Sequence, residues 1–193
     1  IVLGFMGAAA FLSMWISNTA TTMMLLPVAM AVVRQIAEQS DLDGQHDEIT
    51  KRRITESLGL VLMLGLAYSA SIGGVGTLIG TAPNIVFAGI YKKLYPENPE
   101  ISFVGWMMVA IPVVILFLPI VWVYLCRFVA PISLSRIGTK GNGNIIKQEL
   151  ASLGSITRPE KMVACAFAIT ALLWIFRKPI IIGSIEIPGW SSL

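Results

Sequence analysis

Charge is scarce in this chain of 193 residues, and the scarcity excludes a soluble domain. Only 13% of the residues are charged and 55% are apolar, whereas soluble domains carry roughly 25% charged and about 45–50% apolar residues. Metal ligands and thiols are also few. The one histidine and the two cysteines, Cys126 and Cys165, lack the spacing of a metal site or a disulfide framework. The composition predicts a polytopic membrane protein.

The small excess of positive charge, a formal +3 at pH 7, does not form a patch for nucleic acid. The basic residues fall in separate loops, which is typical of charges that set membrane topology. Lys and Arg accumulate in cytoplasmic loops, and segment 34–56 holds four of them while segment 127–161 holds six. We therefore expect both segments on the cytoplasmic side of a multi-pass protein of the plasma (inner) membrane, with no nucleic-acid partner.

Four apolar runs lie between the charged segments. They cover residues 1–33, 57–91, 103–126 and 162–176. A span needs about 20 apolar residues, so the first three can each cross or enter the lipid bilayer. The fourth run is short, with 15 residues, but has Trp174 and basic flanks as anchors. The expected fold class is all-α.

Runs 1–33 and 57–91 are too long for plain spanning helices. A continuous helix over either run would measure roughly 50 Å, against a hydrocarbon core of about 30 Å. Polar residues interrupt the first run at 17–22, and a glycine-rich stretch interrupts the second at 69–84. We predict a re-entrant helical hairpin and a broken transmembrane helix. Non-helical backbone at membrane depth needs protein or water around it, so the two breaks predict a binding site.

Both breaks offer neutral oxygen atoms and no ionisable side chain. Neither 1–33 nor 57–91 contains Asp, Glu, Lys, Arg or His, which disfavours a proton relay. Oxygens of Ser, Thr, Asn and the backbone suit a weakly bound alkali cation such as Na⁺. Pro83 should open the second helix just before it. The carbonyls freed there can bind a cation, and the N-terminus of the next half-helix can bind an anion.

A purely structural interpretation of the breaks stays open. Hydroxyl side chains in membrane helices often only bond backbone carbonyls, and Gly76 and Gly80 have the spacing of helix-packing glycines. That interpretation does not account for Asn18 in the first run, or for Thr81, Pro83 and Asn84 in the second.

Segment 131–161 differs from the apolar runs. After a turn at 138–144, residues 145–154 form an amphipathic pattern, which predicts a short helix on the cytoplasmic surface. The sequence Thr157-Arg-Pro-Glu160 is typical of a cap before the next span.

Two stretches of the chain carry a family resemblance. Ser13-Met-Trp-Ile-Ser-Asn-Thr19 resembles the tip of the first hairpin in the divalent anion:sodium symporter family, which contains sodium-coupled dicarboxylate and citrate transporters. Ser69-Ala-Ser-Ile-Gly-Gly74, followed by Gly80-Thr-Ala-Pro-Asn84, resembles the same family's broken helix. The two motifs are independent, and the resemblance covers nearly the whole chain.

The resemblance implies an inverted-repeat elevator transporter that works as a homodimer, of which this chain is a fragment. It divides the chain into three parts. Residues 1–130 are the first-repeat part of the transport domain, with hairpin 1–33, broken helix 57–91 and span 103–130. Residues 131–161 are a cytoplasmic linker, and residues 162–193 are the start of the second-repeat scaffold domain.

The resemblance also implies the site residues and the function. The Na⁺ site would be formed by Ser13, Ser17, Asn18 and the backbone at Gly80. The substrate contacts would be Ser17, Asn18, Thr19, Thr81 and Ala82. The implied function is sodium-coupled symport of di- or tricarboxylates such as succinate, malate or citrate, with Na⁺ as coupling ion, no organic cofactor and no enzymatic activity. Alternatives are a sodium-independent dicarboxylate exchanger, a sulfate-type anion transporter and, more remotely, a membrane enzyme or channel subunit.

Overall fold

The computed structural model describes residues 1–42, 48–130, 156–182 and 185–192. The chain divides into two compact units, Ile1–Ile132 and Ser133–Leu193. The surface helix predicted at 145–154 lies outside the described residues.

The first unit has five α-helices in its described residues. They are α1 (Val2–Ser13), α2 (Asn18–Leu42), α3 (Glu48–Gly74), α4 (Ala82–Leu94) and α5 (Phe103–Tyr124). A short π-helix, Leu125–Val129, follows α5 directly. Each of the two long apolar runs is therefore split into two helices, as the sequence predicts.

The central helix of this unit is α3, and its glycines allow close contact with α1. A side chain on Gly65 would meet the Met6 side chain at 3.1 Å, and one on Gly73 would meet the backbone of Ala10 at 2.1 Å. Increasing residue numbers in one helix match increasing numbers in the other, so α1 and α3 run parallel. The two backbones touch at this point, so no residue larger than glycine fits at position 73.

Helix α3 also packs against α2, which runs in the opposite direction. Gly59 lies 3.8 Å from Val33, measured from the position its Cβ would take. Leu66 shares a buried cluster with Ala29. Helices α1 and α2 are therefore antiparallel and form a helical hairpin laid along α3.

Three helical stretches among the described residues are long and apolar enough to cross a membrane. They are Asn18–Ala37, Thr55–Gly74 and Phe103–Val129. Large apolar side chains remain exposed on them, for example Ile115 and Leu116 at 65% and 62%, which is expected for lipid-facing surface. The prediction of an all-α, polytopic membrane protein is confirmed. Helix α1, with 12 residues, measures about 18 Å and is too short to cross alone; its re-entrant placement stays a prediction.

The second unit contains one longer helix and a small sheet in its described residues. They are α6 (Arg158–Ile175), strands β1 (Ile180–Ile182) and β2 (Ile185–Ile187), and a 3₁₀ turn at Trp190–Ser192. The backbone N–H of Thr157 donates to the Glu160 carboxylate at 2.7 Å, which lowers the pKa of Glu160 and confirms the predicted cap. The antiparallel pair β1–β2 is an addition to the otherwise helical chain.

Candidate functional site

Four helix ends meet in the first unit. The hairpin tip, Met14–Ser17, joins the C-terminus of α1 to the N-terminus of α2, and the helix break, Val75–Thr81, joins the C-terminus of α3 to the N-terminus of α4. Helix C-termini carry partial negative charge and attract cations, whereas N-termini carry partial positive charge and attract anions. The junction therefore offers both kinds of environment within one small region.

Polar side chains close the hairpin tip. The hydroxyl of Ser13, a fully buried residue, donates to Oδ1 of Asn18 at 2.6 Å. The hydroxyl of Ser17 accepts from the backbone N–H of Ala20 at 3.3 Å, in the manner of an N-cap. The hydroxyl of Thr22 donates to the carbonyl of Asn18 at 2.6 Å. The bond from Ser13 to Asn18 joins the two helices of the hairpin, and the other two bonds stabilise the start of α2.

Thr77 and Asn84 hold the helix break in shape. The hydroxyl of Thr77 accepts from the backbone N–H of Gly80 at 3.1 Å. The Asn84 carboxamide donates to the carbonyls of Gly74 and Thr77 at 2.9 and 2.7 Å. Thr77 is fully buried and Asn84 is 7% exposed, so each of these bonds replaces water that the backbone groups have lost.

The hairpin tip and the helix break touch each other. The hydroxyl of Thr77 donates to the carbonyl of Met14. A side chain on Gly74 would meet Oδ1 of Asn18 at 2.5 Å and the Thr81 methyl at 2.6 Å. Asn18 and Thr81 therefore both lie against Gly74, and glycine is required there because the space of a Cβ is already filled.

Aromatic side chains of α5 and α4 border this junction. The indole N–H of Trp106 donates to the carbonyl of Val75 at 2.8 Å, and its ring packs edge-on against Phe87, with centroids 5.9 Å apart. Phe103 packs against Trp15 of the hairpin tip at 6.1 Å. The start of α5 thus contacts both the tip and the break.

The first interruption lies earlier than the sequence predicted. The expected interruption was 17–22, but Asn18 to Thr22 are already helical and the tip is Met14–Ser17. Ser, Asn and Thr side chains accept the free N–H groups of a first helical turn, so such a cluster begins a helix as readily as it ends one.

The second interruption is shorter than the predicted 69–84. Ser69 and Ser71 remain helical, and their hydroxyls bond back to the carbonyls of Leu66 and Ala67 at 3.2 and 3.0 Å. Pro83 lies in the first turn of α4, as predicted, where its missing N–H costs nothing. Gly76 and Gly80 lie in the break itself, whereas the glycines of α3 that contact α1 are Gly65 and Gly73.

The structure brings only part of the predicted site together. Ser13, Asn18, Gly80 and Thr81 lie at the junction described above. Ser17 and Thr19 lie at the start of α2 with exposed side chains, and Ala82 is the exposed first residue of α4. No described contact joins these three to the break.

Sequence reasoning missed the residues that support the site. Thr77, Asn84 and Trp106 received no individual role, although each makes a bond that shapes the junction. One signal was available for Thr77, which is the only hydroxyl residue between Ser71 and Thr81. No local pattern indicates that Trp106 bonds a carbonyl 31 positions earlier.

The binding sites of many secondary transporters are formed where interrupted membrane helices meet. A comparison with family models agrees, since the family described as the sodium:sulfate symporter transmembrane region matches residues 1–187. The chain belongs to this family. The match confirms the resemblance that the two motifs carry.

Two relatives show how much of such a transporter the chain represents. It is 37% identical over 178 residues to the sodium-dependent dicarboxylate transporter SdcS of Staphylococcus saprophyticus. It is 40% identical over 181 residues to the protein of the same name in Staphylococcus aureus. Each match covers 92% of this chain but 32% of the relative, so the chain spans about a third of their length.

Proposed function

We propose that this chain supplies the first half of the binding site of a sodium-coupled symporter for di- or tricarboxylates. The observation that carries the proposal is the meeting of four helix ends at one junction, formed by the hairpin tip and the helix break. The family match and the printed function of the two relatives support sodium as the coupling ion and a dicarboxylate as the substrate.

The cation site in this proposal uses Ser13, Ser17, Asn18 and the backbone of Gly80. Ser13 ends α1, so its surroundings carry the partial negative charge of a helix C-terminus. The Ser13 hydroxyl and the Asn18 carboxamide oxygen already lie 2.6 Å apart, and the carbonyl of Gly80 takes no part in the bonds of Thr77, Asn84 and Trp106. Neutral oxygens of this kind suit Na⁺.

The anion site in this proposal uses the N-termini of α2 and α4. Its residues are Ser17, Asn18, Thr19, Thr81 and Ala82, which all lie at or next to these two helix starts. Hydroxyl groups and helix N–H groups can donate to a carboxylate without a charged side chain. The charge of the anion is then balanced by the bound cations and the helix dipoles.

The wider assembly follows the family architecture. We infer a transport domain containing residues 1–130, a linker at 131–161 and a scaffold beginning at 162–193. The transport domain would move against a homodimeric scaffold in an elevator cycle. A sulfate-type anion transporter is the second candidate, because the description of the matching family names sulfate. A sodium-independent dicarboxylate exchanger uses the same anion contacts and differs only in its need for sodium.

The test is uptake of radiolabelled succinate by the transporter containing this chain, reconstituted in proteoliposomes with and without an inward sodium gradient. We expect sodium-dependent uptake that Asn18→Ala abolishes. The matched control is Asn98→Ala, since Asn98 is exposed and its carboxamide donates to the Tyr91 hydroxyl at 3.3 Å, outside the junction. Sodium-independent uptake with exchange of internal succinate would establish the exchanger, and uptake of sulfate in place of succinate would establish the second candidate.

A further inference from the structure

One residue outside the proposed ligand sets touches both halves of the junction. Thr77 lies in the helix break, and its side chain is fully buried. Its hydroxyl donates to the carbonyl of Met14 in the hairpin tip, 63 positions away in the sequence. The same hydroxyl accepts from the backbone N–H of Gly80 at 3.1 Å. A single oxygen atom thus connects the backbones of the tip and the break.

The backbone of Thr77 is fixed independently of its hydroxyl. Its carbonyl accepts from the Asn84 carboxamide at 2.7 Å, and that carboxamide also bonds the carbonyl of Gly74 at 2.9 Å. Two other contacts hold the surrounding elements together, namely Gly73 against Ala10 and Trp106 on Val75. Removing the hydroxyl alone therefore leaves the packing of the helices in place.

The two atoms that the hydroxyl connects belong to or adjoin proposed cation ligands. Met14 directly follows Ser13, and Gly80 provides the backbone of the same proposed site. Ser13 and Gly80 are the two ligands proposed for the cation alone, whereas Thr19, proposed for the anion alone, lies five positions beyond Met14 and has an exposed side chain. A change in the distance between tip and break therefore changes the separation of Ser13 and Gly80 directly.

We propose that Thr77 is a positioning residue of the cation site, which sets the separation of Ser13 and Gly80 before the ion binds. This inference rests on the proposed sodium-coupled function. Ligands held in place in advance lose less conformational freedom on binding, so the hydroxyl raises the affinity for Na⁺ without contacting the ion. The affinity for the carboxylate at saturating sodium does not depend on it.

The test compares Thr77→Val, which keeps the shape and removes the hydroxyl, with Thr77→Ser, which keeps the hydroxyl. Thr170→Val is the matched control, because Thr170 is exposed and its hydroxyl bonds the carbonyl of Ala166 in its own helix. Uptake is measured in proteoliposomes against sodium at saturating succinate, and against succinate at saturating sodium. Stabilisation of the purified protein by NaCl over choline chloride gives a second measure of sodium binding.

Thr77→Val loses both hydrogen bonds of the hydroxyl, and the sodium concentration for half-maximal uptake should rise about five- to tenfold. The KM for succinate at saturating sodium should stay within about twofold of wild type, and Thr77→Ser and Thr170→Val should match wild type in both titrations. Thr77→Cys has a side chain of similar size with a weaker donor, so it should give an intermediate sodium requirement. It serves as the test in place of Thr77→Val if that variant does not fold.

Three results would overturn the proposal. An unchanged sodium requirement in Thr77→Val, with sodium-dependent uptake in the wild type, removes the role of Thr77 and leaves the proposed function standing. Equal rises in the sodium requirement and in the KM for succinate, or a fall in maximal rate alone, would show that Thr77 only maintains the structure. Sodium-independent uptake by the wild type overturns the proposed function and this inference together.

Discussion

The hairpin tip and the helix break contain similar residues but use them in opposite ways. At the tip, Ser17 and Thr19 leave their side chains exposed at the start of α2. In the break and just after it, the side chains of Thr77 and Asn84 are buried and bond to backbone groups. The tip therefore presents polar side chains, whereas the break uses its polar side chains to hold an irregular backbone in place.

The difference shows what an uncharged membrane site requires. An interrupted helix leaves backbone N–H and C=O groups without helical partners, and in lipid each such group must find one inside the protein. Thr77 and Asn84 supply these partners in the break, so the remaining oxygens are free to bind an ion. We expect substitutions in the break to lower stability, and substitutions of exposed tip residues to alter ligand binding.

The largest loss of stability is expected at Gly73, where α3, which leads into the break, touches α1, which leads into the tip. Gly73→Ala places a methyl group 2.1 Å from the Ala10 carbonyl oxygen, and backbone atoms cannot move aside at low cost. We expect a loss of about 3 kcal/mol or more and little monodisperse protein in detergent. Gly89→Ala is the control, since nothing lies within 4 Å of its Cβ position. Equal yields and Tm values for both variants would show that α1 and α3 do not touch at Gly73.

A smaller loss of stability is expected at Asn84, whose side chain supports the backbone of the break. Asn84→Asp keeps the shape of the side chain and removes both N–H donors, so the carbonyls of Gly74 and Thr77 lose their partner. The expected cost is about 2–3 kcal/mol, measured as a lower Tm in detergent. The exposed Asn98→Asp serves as control. A wild-type Tm for Asn84→Asp would contradict the supporting role given to the break.

Trp106→Phe should have a still smaller effect. The phenyl ring retains the packing against Phe87 and loses the N–H that bonds the Val75 carbonyl at 2.8 Å. Loss of this bond should cost about 1 kcal/mol, again measured by Tm. A Trp122→Phe variant controls for general effects of replacing a tryptophan in this segment. A drop larger than that of Asn84→Asp would place the main support of the break on α5.

The smallest effect on stability is expected at the tip. Thr19→Ala should leave the free energy of unfolding within about 0.5 kcal/mol of wild type and raise the KM for succinate more than the sodium requirement. Ser13→Ala should do the reverse, because Ser13 lies among the proposed cation ligands. Sodium and succinate titrations of uptake check both variants. Equal effects of the two variants on both ligands would remove this division of roles.

Sequence reasoning identified the location of the junction more accurately than its internal geometry. The two motifs indicated Ser13, Asn18, Gly80 and Thr81, and the structure places all four at the junction. The bounds of the interruptions were wrong by several residues, since serine, threonine and asparagine at a helix end can either cap the helix or interrupt it. Which of the two occurs depends on partners that are distant in sequence.

The sequence by itself determined that this is a polytopic helical membrane protein with two interrupted apolar runs. Hydropathy and charge act locally along the chain, so they can be read without knowing the fold. Only the tertiary structure decided which polar groups support the site and which remain exposed. The bond from Thr77 to Met14 joins residues 63 positions apart, and it exists because glycines such as Gly73 let α3 approach α1 at backbone contact.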